Sequence, residues 1–187
     1  MTVLPITQIG DPVLRIRTPE LSVEELRSAE VQRLIDDLIE TRAAAGGAGL
    51  AAPQVGASLR IAVCEVDAAT RYTYKPPIPR TVIVNPVIEP IAAETAQINE
   101  GCLSVPGLRG ELPRFMHVRV RYLDRHGNPH EEVKRGLTAG TFQHETDHLN
   151  GILFVDRVTD PTTFMTWESF ERFHRDAFLA RVAELPT

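Results

Sequence analysis

With 187 residues, 43% of them hydrophobic and 24% charged, the chain is long enough to bury one sizeable core and has an ordinary globular composition. A net charge of −5 gives no electrostatic reason to expect DNA or an anionic membrane as partner, and no apolar run approaches the roughly 18 residues of a membrane span. Cys64 and Cys102 are the only cysteines, too few for a disulfide framework, so a reducing compartment is expected.

The opening, MTVLPITQIGDPVLRIR, lacks a basic region followed by an apolar one and a small-residue cleavage site, so no secretory signal is expected. Residues 23–44 space Val31, Leu34, Ile35 and Leu38 at helical intervals, with Gly46-Gly47 as the stop, and predict one helix. LRIAVCEV (59–66) and TVIVNPVIEP (81–90) are rich in β-branched residues and bounded by breakers, as strands are. Between them the Pro-rich DAATRYTYKPPIP reads as a loop. Further strands are expected at 116–123 and 129–134, joined through DRHGNP as a hairpin. His117, Arg119 and Arg121 alternate there with Val118, Val120 and Tyr122, which predicts a strand with one wet face rather than a nucleic-acid surface. Leu137 to Leu149 reads as a helix ending at Asn150-Gly151. Residues 162–185 predict a second long amphipathic helix, with apolar positions at 164, 167, 170, 173/174 and 178 packed into the core. Helices mixed with antiparallel strands make an α+β fold, and with no repeat or linker the expectation is a single domain over 1–187.

The chemistry concentrates in FQHETDHLNG (142–151). On a helix, His144 and His148 share one face a turn apart and can chelate one ion, while Glu145 can reach a water on that ion as general base without ligating it. Two imidazoles need a third ligand. A continuation as HExxHxxGxxH fails, because Gly151 fits but the closing position is Phe154. Glu168, twenty residues after His148, satisfies the spacing of zinc endopeptidases that take a glutamate from a following helix. The third candidate is Cys102 in EGCLSVPGL, in a turn region bounded by Gly101 and Pro106-Gly107. One thiolate and two imidazoles leave an open fourth position, the pattern of a catalytic centre. Cys64, inside a strand, is expected to be a buried apolar thiol.

Residues 47–52 also satisfy G-x-G-x-x-A, but a helix precedes them and a strand follows, the reverse of the dinucleotide-binding order. Small residues instead let a substrate backbone lie close, and Gln54 at the end of the loop can offer an amide N–H to an oxyanion.

Taken together, GAGLAAPQ (47–54), EGCLSVP (100–106) and QHETDHLNG (143–151), in this order, resemble the peptide deformylase family. The resemblance spans 47 to 151 by motif, and ITQIGDPVLR with the first helix is similar to the family's opening. It implies antiparallel or mixed sheets around a central HExxH helix, and removal of the formyl group from N-formylmethionyl peptides of nascent chains, releasing formate. Cys102, His144 and His148 would bind one divalent ion, Fe2+ by resemblance, although Zn2+, Ni2+ and Co2+ suit the same donors. Glu145 would be general base and then acid, and Gln54 with the Leu103 N–H would hold the oxyanion. Gly49 and Gly101 would hydrogen-bond the peptide backbone, and Arg109 would lie near the substrate side chain. A nascent-chain substrate implies a bacterial cytoplasm or an organelle and a transient contact with the ribosome. Thr146 departs from the family, which often has an apolar residue there, and is expected to alter only the packing behind the helix. A non-catalytic binding module with a degenerate site is the rival of another class.

Overall fold

The computed structural model describes residues 2–67, 72 and 74–186. Strand β2 (Ile61–Val66) is buried at every position because both faces of its sheet are covered. Its partners are β1 (Gly49–Ala51), β3 (Ile78–Pro90), β6 (His117–Leu123) and β7 (Pro129–Arg135), in the antiparallel order β1-β2-β3-β6-β7. Alternation then sorts the β2 side chains. Ile61 and Val63 join Leu50, Val82 and Val84 against helix α2 (Ala29–Ala45), through Ile35 and Leu38. Ala62, Cys64 and Val66 turn the other way, onto Ala139, Phe142 and Leu149 of helix α3 (Gly136–Leu149). Cys64 is fully buried in that second layer, as its strand position predicts.

A second antiparallel sheet lies beyond α3, formed by β4 (Thr95–Cys102), β5 (Val105–Phe115) and β8 (Met165–Thr166) in the order β4-β5-β8. Ile98 of β4 packs with Met116 and with Leu137 of α3. Thus α3 is enclosed nearly all round, with every residue from Thr141 to Gln143 and from Glu145 to Leu149 buried. The α+β expectation holds, with the HExxH helix at the centre.

Three local departures have physical causes. The expected helix at 23–44 is split: Ser22 and Glu25 form a capping box on α1 (Val23–Leu26), and Ser28 accepts from the Val31 N–H to begin α2 anew. The Gly46 stop is as expected, in the left-handed conformation at φ 63°. Strands β4 and β5 were not anticipated as such, since only a short extended piece around Cys102 was expected. Their inward positions include Asn99, Glu100, Arg109 and Arg114, so the apolar alternation that marks a strand is absent. The tail is not one helix over 162–185. Pro161–Thr163 is a 3-10 turn and Met165–Thr166 pairs with β5, then Thr166 caps α4 (Trp167–Ser169), which runs through a π turn at Phe170–His174 into α5 (Arg175–Val182). The π turn shifts the register, so Phe170 and Phe178 are buried but Phe173 is 66% exposed.

Leu38, fully buried between α2 and the five-stranded sheet, tests this arrangement. Leu38→Ala is expected to lower unfolding free energy by about 2–5 kcal/mol in urea titration with little effect on metal content.

Candidate metal centre

Two chain segments from different sheets and one helix meet at the cleft. Helix α3 supplies His144 and, one turn on, His148. The end of β4 supplies Cys102, where the register of the β4–β5 hairpin shifts between Gly101 and Cys102 and turns the thiol out of the ladder. One donor atom from each of the three residues lies within 4.8 Å of the others, close enough for one ion. His148 Nε2 is 3.3 Å from Cys102 Sγ. The sulfur also receives the Ser104 N–H at 3.4 Å and the Gln54 amide at 3.5 Å, contacts that suit a thiolate. Soft sulfur with two imidazoles fits a divalent transition metal, and the three-donor count leaves room for a reactant. Glu168, the spacing-based rival, is exposed on α4 and outside this donor group. Phe154 is buried in the core.

The imidazoles are held unequally. His144 Nδ1 and Glu100 Oε2 are 2.8 Å apart, which turns Nε2 toward the sulfur. Glu100 is in turn gripped by Arg114 at 2.8 and 2.9 Å, and Arg114 reaches Asp147 of α3 at 2.6 Å. Asp147 also takes Arg157. Burial alone would raise the Glu100 carboxyl, but Arg114 and His144 more than reverse this and hold it well below the usual range. Burial also opposes charging His144, yet Cys102 and Glu100 raise it well above the ordinary value, whereas burial and then the charge of His144 push His148 well down. These directions describe the free protein; an ion takes the place of the proton. Glu100, Arg114 and Asp147 were not assigned roles from the sequence. Glu100 was visible inside EGCLS, but Arg114, just outside the strand expected at 116–123, carried no signal.

Glu145 points from the same helix into the cleft, with Oε2 buried and without a hydrogen-bond partner among the described residues. Burial raises its pKa to about 7, more than His144 and Lys75 lower it. Gly49 is what permits this. A Cβ at that position would come 2.7 Å from Glu145 Cγ and closer still to the carboxylate. Gln54 is fixed by its own backbone neighbourhood: Oε1 accepts from the Ala51 N–H at 2.9 Å, so Nε2 is left facing Ser104 Oγ at 3.1 Å and Cys102 Sγ. Leu103 lines the cleft beside Gly47, and Gly101 lies opposite Arg109 in the β4–β5 register. The cleft encloses about 600 Å³, its open mouth included.

Arg109 also lines this cleft but is fully buried, donating to Asn99 Oδ1 at 2.5 Å and Asn99 O at 2.9 Å, with its guanidinium 4.0 Å from the Trp167 ring centre and 4.2 Å from that of Phe170. Phe170 and Phe178 of the tail's aromatic stripe are therefore core, as expected, whereas Phe173 is not, and Phe178 also forms cleft wall. Tyr74 and Lys75, in the segment taken as a plain loop, line the cleft as well. Thr146 is buried with its hydroxyl unpartnered among the described residues, occupying an apolar position and leaving the donors in place.

A buried HExxH helix whose third donor is a cysteine from a neighbouring sheet defines a class of hydrolytic enzyme distinct from endopeptidases closed by a carboxylate. Residues 3–164 match the family model described as Polypeptide deformylase. Among similar proteins, peptide deformylase 2 of a Nostoc species is 42% identical over 168 residues, 90% of this chain and 93% of the relative. Peptide deformylase 2 of Ralstonia nicotianae is 44% identical over 161 residues, 86% and 89% of the two chains. The Met-Ala-Ser-bound crystal structure of class I type b peptide deformylase from Acinetobacter baumannii superposes with a TM-score of 0.80 at 39% identity, covering 84% of this chain and 99% of that one. Peptide deformylase from Ehrlichia chaffeensis gives 0.75 at 33% identity over 98% and 96%. The chain belongs to the polypeptide deformylase family and is an enzyme, a hydrolase. No helix among the described residues is long and apolar enough to cross a membrane.

Metal analysis after purification separates the two donor sets. Cys102→Ala is expected to lose most of the bound metal, whereas Glu168→Ala should retain the wild-type content; the opposite pattern would make the centre a three-ligand carboxylate site.

Proposed function

We propose that residues 1–187 act as one catalytic domain that hydrolyses the formyl group from N-formylmethionyl peptides, releasing formate and a free amino terminus. The observation that carries this reading is the convergence of Glu145, with an unpartnered carboxylate oxygen, and the Gln54 amide on the Cys102/His144/His148 group. Family membership supports it, as does the Met-Ala-Ser peptide bound to the Acinetobacter relative, which has the form of a deformylated product.

A divalent ion held by Cys102, His144 and His148, ferrous by family resemblance, supplies when bound a charge that polarises water and the formyl oxygen. Glu145 takes a proton from the attacking water; its burial, which favours the protonated form, suits it to holding and returning one. The water oxygen joins the formyl carbon as the C–N bond breaks, and Glu145 delivers its proton to the departing nitrogen. Gln54 Nε2 and the Leu103 N–H donate to the formyl oxygen as negative charge develops, an interaction stronger in the transition state than in the ground state. Gly49 and Gly101 offer backbone to the extended peptide, and Arg109 backs the pocket for its first side chain. Action on nascent chains places the enzyme in the cytoplasm, in transient contact with the ribosome.

Formate release from formyl-Met-Ala-Ser, compared with acetyl-Met-Ala-Ser on anaerobically prepared enzyme of known metal content, tests the reading; equal inertness toward both peptides would leave a degenerate binding module. Glu145→Ala should keep its metal while losing at least about 100-fold in turnover, since both proton transfers pass through that carboxylate. Gln54→Leu should lose on the order of 100-fold in kcat/KM with metal unchanged, and a near-neutral effect would remove the amide from the oxyanion site.

A further inference from the structure

The cleft-lining residues of α3 step away from the metal donors by single turns: His144 and Glu145, then Gly140 and Thr141, then Leu137. One turn rises about 5.4 Å, comparable to the length of a methionine side chain, so a side chain running along α3 away from the donors ends at the level of Thr141. The wall there is not hydrocarbon. Lys75 Nζ donates to Thr141 Oγ1 at 2.8 Å, and no second acceptor for this ammonium occurs among the described residues, although it carries three protons. Arg109 Nη1 is buried with no hydrogen-bond partner among the described residues, its sister nitrogens being taken by Asn99 and, at 3.3 Å, by Tyr74 Oη. Tyr74 Oη, accepting from Arg109, keeps its own proton to give. Of the acceptors nearby, Glu100 already serves Arg114 and His144, and the free Glu145 Oε2 is the oxygen that the proposed reaction gives to the attacking water.

One wall of the pocket therefore holds more donors than acceptors, a costly state for buried polar groups unless the ligand brings an acceptor. A thioether sulfur is a weak one. The S=O oxygen of methionine sulfoxide, the product of oxidising that thioether, is a strong one on a side chain of nearly the same shape. Resting on the deformylase reading, we infer that the enzyme also deformylates peptides that begin with N-formylmethionine sulfoxide, with the Lys75 ammonium and Arg109 Nη1 donating to the sulfoxide oxygen. The hydrolysis is unchanged: water adds to the formyl carbon, the C–N bond breaks, and the sulfoxide passes through without gaining or losing electrons.

The test compares formyl-Met-Ala-Ser, formyl-norleucyl-Ala-Ser and each sulfoxide epimer of formyl-Met(O)-Ala-Ser on one metal-loaded preparation, with calorimetric binding of the product peptides Met-Ala-Ser and Met(O)-Ala-Ser alongside. At least one epimer is expected to show kcat/KM within about 30-fold of the thioether, and its product to bind with comparable affinity. A deficit larger than that for both epimers, the least that an unpartnered buried oxygen would cost, overturns the inference. Inertness toward all four peptides overturns the deformylase reading instead, and product binding then still decides whether the pocket takes the sulfoxide. Lys75→Met should lower the sulfoxide-to-thioether ratio of kcat/KM by at least about 10-fold. An equal loss on both peptides would mean that the ammonium serves the shared main chain, and would also overturn the inference. Should that variant misfold, the wild-type comparison stands by itself.

Discussion

The site depends on a buried chain of charges that runs from His144 through Glu100 and Arg114 to Asp147. Glu100 is on β4 and Asp147 on α3, so Arg114 of β5 ties the helix that bears the imidazoles to the hairpin that bears the thiol. Replacing such a network by apolar residues need not cost stability, but removing one member would strand a buried charge. Its value is geometric. A thiol at the end of a strand and two imidazoles on a helix belong to elements that could slide past each other, and the paired carboxylates fix their separation and orient one ring.

Around that frame, small residues decide how close things come. Gly49 lets β1 pass against Glu145, and β1 is itself held opposite Cys64 of β2, whose thiol is buried under α3 and carries no chemistry. The same register fixes Ala51, whose N–H clamps the Gln54 side-chain oxygen and leaves only the amide nitrogen free to face the sulfur. An Asn/Gln amide is ambiguous in isolation; here the backbone donor selects the orientation. Positioning thus passes from strand pairing to cap to functional nitrogen without any flexible step.

What could be read from the sequence follows from the same physics. His144, Glu145 and His148 were legible because a helix converts four-residue spacing into proximity, and β2, β3, β6 and β7 because their apolar or alternating patterns serve one purpose, burial. Spacing left both Glu168 and Cys102 open as third ligand, since separation along the chain says nothing about which sheet returns to the helix; the turn context and soft chemistry of Cys102 favoured it, and family resemblance chose it. Strands β4 and β5 were illegible for the reason that makes them useful. Their inward positions carry Asn99, Glu100, Arg109 and Arg114, so a pattern rule that equates inside with apolar fails there. The cap at Ser28 was hidden inside the apparent helix, because the apolar positions that marked that helix, Val31 to Leu38, all fall after it.

The family match ends at residue 164, before Trp167, Phe170 and Phe178, yet Phe178 lines the cleft and the other two pack on its Arg109. Trp167 and Phe170 pack on the Arg109 guanidinium, and Phe178 meets Tyr74 edge-on at 5.2 Å, so the tail helix and Tyr74 meet at the pocket wall. An arginine packed on aromatic rings loses water but keeps its N–H groups, so the packing leaves its donors available instead of silencing them. In the proposed reaction the ligand helix, the β4 cysteine and the glutamine loop would supply the chemistry, while Tyr74, Lys75 and Phe178, which belong to no motif, join Leu137 and Thr141 of that helix in shaping the space beside it.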